Sequence, residues 1–120
     1  MRELRKVAAM IARAMGFRSR GELPAARTEI ENGYSTLLGP QAVLLRMLDV
    51  QSAARLLADS RKVTALARLT SAEAALAADS GKPEEERRLL ERAKALAREA
   101  VDLNSSDVEA KGALAELDAL

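Results

Sequence analysis

Few side chains in this sequence are equipped for chemistry. Its 120 residues include no Cys and no His. Composition alone therefore excludes thiolate nucleophiles, disulfides, Cys/His zinc sites and imidazole-based dyads or triads. The general acids and bases that remain are Asp, Glu, Lys and Tyr34. Glu29 and Glu31 stand two apart, which on a helix turns them to different sides. Glu84, Glu85 and Glu86 follow Pro83 in a first helical turn, where carboxylates favour the positive end of the helix dipole. Four-helix di-iron sites need Glu-x-x-His on two helices, which a chain without His does not have. "GKP" at 81–83 lacks the rest of a phosphate-binding loop. The expectation is a chain that is not an enzyme, with no catalytic residue, no cofactor and no metal.

Charge is the next resource. The net charge is +1, but residues 1–27 hold seven Lys and Arg against Glu3 and Glu22, which is +5. Residues 84–118 hold six against ten acids, which is −4. Such polarity would orient self-association, although solvated helix faces are the plainer account. Arg5, Lys6, Arg13, Arg18 and Arg20 along the first helix would offer a basic patch to nucleic acid. Against that stand the near-neutral total, only two aromatics (Phe17 and Tyr34) and the lack of helix-turn-helix spacing. No nucleic acid is expected as partner. No apolar run approaches the roughly 18 residues of a membrane span, and "VAAMIA" near the start is too short for a secretory segment. Membrane association is not expected, and the absence of Cys suits a cytoplasmic setting.

The elements that carry these residues are helices. Apolar residues make up 48% of the chain and are dominated by Ala and Leu, with Arg and Glu supplying much of the charge. These are the strongest helix formers, so the fold class is all-α. Leu4, Val7, Ala8, Ile11, Ala14 and Met15 recur at three- and four-residue steps over 2–19. A second helix spans about 22–38, with Leu23, Ala26, Ile30, Tyr34 and Leu37 on one face. Residues 41–59 read as two short helices with a break near 49–52. From 61 to 80 runs a helix whose interior carries only Arg68 and Glu73 as charges, which marks it as central. Gly81 and Pro83 break the chain before a helix reaching about Leu103, with Leu89, Ala93, Leu96, Ala97, Ala100 and Leu103 on its core face. Ser106 followed by Glu109 reads as a capping box for a last helix over 107–118.

The stretch from Ala14 through Phe17, Gly21, Leu23, Ala26, Ile30 and Gly33 resembles the turn and second helix of a tetratricopeptide repeat. In that family a Gly and an acid make the turn, and small residues let two helix backbones approach. Ala93, Ala97, Ala100, Leu103, Asn104, Val108 and Leu114 resemble the second helix and exit of a further repeat, with Ser105 at the usual exit proline and Lys111 at the usual aromatic. The interval from Gly81 to Ala93 is seven residues longer than that spacing, about two turns or ~10 Å of helix. The chain is thus similar to small bacterial tetratricopeptide-like proteins.

The resemblance implies a right-handed array of about six to seven helices in antiparallel hairpins, forming one domain. Residues 1–38 would make the first hairpin, 39–60 an irregular insertion, 61–104 a second, longer hairpin and 105–120 a capping helix. Its implied function is protein–protein interaction or assembly with an unidentified protein partner. A homodimer with no other partner is the alternative, and nucleic-acid binding through the first helix a weaker one. Family members that clamp a peptide carboxylate use Lys and Asn where this chain has Ile11 and Met15, so the clamp does not carry over. Two hairpins are fewer than an open solenoid needs, so residues 41–60 or a second copy should cover that apolar face. Ile11, Met15, Arg13 and Arg18 are therefore the expected interaction surface. Core packing is the plainer account of Met10, Met15 and Met47, a Met-lined groove the alternative.

Overall fold

The computed structural model describes residues 2–120 and is all-helical, with no strand among them. Seven α-helices follow in order: α1 (Arg2–Ser19), α2 (Leu23–Leu38), α3 (Ala42–Met47), α4 (Val50–Leu57), α5 (Ser60–Asp79), α6 (Pro83–Leu103) and α7 (Val108–Asp118). A 3-10 turn at Gly39–Gln41 leads into α3.

Both long hairpins turn in the same way. Gly21 N–H donates to the Arg18 carbonyl at 3.0 Å and Glu22 N–H to the Phe17 carbonyl at 2.9 Å. Gly81 and Lys82 repeat this on Ala78 and Ala77 at 3.1 and 3.0 Å. The glycines sit at φ +74° and +73°, left-handed conformations that a Cβ would strain. Pro24 and Pro83 then enter the next helix in its first turn, where a missing N–H breaks no helical bond.

Helix α5 is enclosed because its sequence leaves no wide polar face. It packs against α1, α2, α4, α6 and α7. Its two buried threonines are satisfied within the helix: Thr64 donates to the Ser60 carbonyl and Thr70 to the Leu66 carbonyl, each at 2.8 Å. Around it, α1, α5 and α7 run in the same direction. Arg18 meets Asp79 where α1 and α5 end, and Ser60 meets Asp107 where α5 and α7 begin. Helix α2 runs opposite to α5, since Arg27 reaches Ser80 while Tyr34 reaches Glu73. Helix α6 runs opposite to both neighbours, as Arg98 pairs with Asp118 near the end of α7.

Three expectations change. The cap of α7 is Asp107, whose carboxylate accepts from Ala110 N–H at 3.1 Å and from the Ser60 hydroxyl at 2.7 Å. Ser106 instead donates its N–H to Asn104 Oδ1, so no Ser106–Glu109 box forms. Second, α3 and α4 do not cover the Ile11 side of α1: α3 packs on α2, and α4 on α6 and α5. The Ile11 side is flanked by α5 and α7. Third, Gly33 opens space for α5. A Cβ there would lie 2.6 Å from Leu69 Cδ2, so the missing side chain is the seat of Leu69.

Candidate interaction surface

The small residues named in the sequence are interior. Ala14, Ala26, Ala93, Ala97 and Ala100 are fully buried, as is Ile30, while Phe17 and Leu23 pack on that core from its edge. They build the scaffold.

The four residues expected to form one surface are dispersed. Ile11 lines a groove of about 330 Å³ between α1, α5 and α7, with Leu4 and Val7 beside it and Arg5, Arg68 and Glu109 at its rim. Arg68 turns Nη1 to Glu116 at 3.3 Å, while its Nε, shielded from water, has no hydrogen-bond partner. Met15 is half-buried against the core. Arg13 turns to α2 and donates to Glu29 at 3.3 Å. Arg18 makes a two-point contact with Asp79, at 2.6 and 3.2 Å, that ties the ends of α1 and α5. The guanidinium beside Asp79 holds its carboxyl below the usual range. Arg20 pairs with Glu22 at 3.2 Å and stacks on the Phe17 ring. Three cations of the expected basic patch are thus engaged within the chain.

A surface that the sequence did not single out lies at α3. This helix buries Leu45 but leaves Val43, Leu44 and Met47 at 74%, 54% and 79% exposure. Met47 is therefore not a core residue, and neither is Leu103, which is exposed at the end of α6. The residues at 43 and 44 lie on the same outward side as Met47, because steps of three and four residues return to one face. Helix α3 is held in place by charge. Arg46 reaches Glu31 of α2 at 2.9 Å and Glu73 of α5 at 3.4 Å, and its guanidinium lies 3.8 Å from the Tyr34 ring centroid. The Tyr34 hydroxyl donates to Glu73 at 2.6 Å. From α6, Arg92 donates to the Leu45 carbonyl at 3.3 Å.

Burial, with the Glu73 charge and hydrogen bond, pushes the Tyr34 phenol well above its usual range. A phenol held so firmly in its protonated form anchors, and does not act as a base at neutral pH. Burial also lowers the pKa of Arg92.

Between α3 and α6 lies a cleft of about 320 Å³, floored by Leu66 and Leu89 and bordered by Met47, Arg88 and Arg92. Its geometry suits an apolar side chain with an acid beside it, since Arg88 and Arg92 border the apolar floor. One sign of the α3 face was present in the sequence: "AVLLRM" is apolar on both sides of a helix only six residues long, too short to be enclosed. The Tyr34–Glu73–Arg46 cluster had none, because its members come from three separate helices. Among the described residues, no group of His, Cys, Asp and Glu is placed to hold a metal ion, and no helix is long and apolar enough to cross a membrane. Comparison with protein-family models, curated proteins and solved structures finds no match.

Proposed function

We propose that this chain is a non-enzymatic protein–protein interaction module that receives a partner protein on the outer face of α3 and in the adjoining cleft. The observation that carries this reading is the exposure of Val43 and Met47 on a helix pinned by Arg46 and Leu45. Apolar side chains grouped on one outward face of a fixed element form the kind of contiguous patch that marks a contact surface. The cleft beside them adds an apolar floor and the Arg88 and Arg92 guanidinium groups. The reading includes a tetratricopeptide-like, right-handed array in a cytoplasmic protein. Its support is the shared direction of α1, α5 and α7 against α2 and α6, and the matching turns at Gly21 and Gly81. Nucleic-acid binding through α1 loses ground, since Arg13, Arg18 and Arg20 are paired internally.

The test compares wild-type bait with a Val43→Glu/Met47→Glu double variant in native lysate. Both substitutions are at exposed positions, so the melting curve should not move. A partner retained by the wild type should be lost by the variant. Equal recovery by a folded variant would reject the α3 face.

A further inference from the structure

Helices α1 and α7 both pack on α5, and each leaves one side uncovered. On α1 the uncovered side presents Arg5, Ala9 and Ala12, with Lys6 and Arg13 along one edge. On α7 it presents Val108 (80% exposed), Gly112, Ala115 and Ala119, with Glu109 and Glu116 along one edge. The edges carry opposite charge with the same spacing: Lys6 and Arg13 are seven apart, as are Glu109 and Glu116.

We propose that two copies of this chain associate head to tail, with the uncovered side of α1 in one laid antiparallel on the uncovered side of α7 in the other. The antiparallel sense follows from helix geometry. At 100° per residue, Lys6 and Arg13 occupy the same angular position relative to the uncovered side of α1 as Glu109 and Glu116 do on α7. Two such faces bring those edges together only when the helices run in opposite directions. Lys6 then meets Glu116, and Arg13 meets Glu109.

The remaining charges fit this register. Lys111, on the other edge of α7, meets the Ala8 and Ala12 side of α1 and no cation. Arg13 and Glu116 already hold Glu29 and Arg68 at 3.3 Å, but these are exposed pairs of modest strength that can share a further partner. Val108 and the Cβ-free Gly112 sit between the charged edges. No atom lies within 4 Å of a Cβ built at Gly112, so a helix can approach closely there. The interface is heterologous, so charge gives it direction as well as attraction. It uses neither α3 nor its cleft, and its failure would leave the reading above intact.

The test is sedimentation equilibrium of the full chain from micromolar to millimolar concentration, at low ionic strength and again near 1 M salt, where screening falls to about 3 Å. The average mass of the wild type should rise from 12.9 kDa at low salt without levelling at twice that value, because each pair keeps a free α1 and a free α7, and fall back at high salt. Lys6→Glu and Glu109→Lys alter exposed side chains that form no ion pair among the described residues, so both variants should fold. Each should weaken self-association about tenfold, the equivalent of ~1.4 kcal/mol. Mixing the two variants should restore association as a heterodimer, because one retains an unaltered α7 and the other an unaltered α1. A wild type that stays monomeric throughout would overturn the proposal. So would association that ignores both substitutions, or that disappears with Val43→Glu/Met47→Glu instead.

Discussion

Gly33→Ala is the sharpest test of how the two hairpins meet. Two opposing effects act on this variant. Replacing Gly by Ala inside a helix favours folding by about 1 kcal/mol through backbone entropy. Against that, the new Cβ would stand 2.6 Å from Leu69 Cδ2, far inside contact distance. Leu69 is fully buried, so its methyl group has no free volume to enter without displacing its neighbours. Overpacking of this kind costs about 1–3 kcal/mol. The net expectation is destabilisation of about 0–2 kcal/mol.

The control is Gly112→Ala, also inside a helix but with no atom within 4 Å of the added Cβ. There the propensity effect acts alone and should stabilise by about 1 kcal/mol. For a chain of this length each kcal/mol moves the melting temperature by roughly 4 °C. The two variants should therefore melt about 4–12 °C apart, measured by circular dichroism at high salt to keep copies separate. Leu69→Ala should remove most of the cost of Gly33→Ala in a double-mutant cycle. If Gly33→Ala were as stabilising as Gly112→Ala, the close approach of α2 and α5 at this point would be wrong.

Two further expectations follow from particular side chains. Asp107→Ala removes the α7 cap and the Ser60 contact together, and should cost at least the ~0.5–2 kcal/mol of a lost cap. Ser106→Ala should leave thermal denaturation unchanged. Tyr34 is the one tyrosine in a chain without Trp, so its ionisation can be followed by absorbance without interference. Burial first, and then Glu73, raise the folded-state pKa above the ordinary 10.0. The folded chain thus keeps the phenolic proton more tightly than the unfolded chain. That stabilisation is complete below pH 10.0 and is lost as pH rises above it. Tyrosinate absorbance should appear together with loss of helical signal; ionisation of a chain that is still folded near pH 10.0 would contradict the Tyr34–Glu73 contact.

The interaction surface was far less legible than the helices. Ile11, Met15, Arg13 and Arg18 share a helix, yet they serve a groove, a core edge and two ion pairs. Apolar periodicity marks which side of α1 is buried, but it does not name the element that buries it. Residues 39–60 show the same gap. Their two short helices were readable, but the break is shorter than 49–52: the Asp49 carboxylate accepts from Ser52 N–H at 3.1 Å and caps α4, which already begins at Val50. Their placement over α2 and α6 was not readable.

The sequence by itself determined what depends on near neighbours. The turns at Gly21 and Gly81 need left-handed glycines, Pro24 and Pro83 open helices, and the few charges between 63 and 78 commit α5 to the interior. Each rests on interactions within about one helical turn or on a single periodicity. Only the tertiary structure decided which faces meet. Arg46 finds Glu31 and Glu73, Leu69 fills the space at Gly33, and Asp107 holds Ser60. These contacts join residues 15 to 47 positions apart, where many pairings satisfy the same local pattern. The choice among them is made by how all seven helices fill one core.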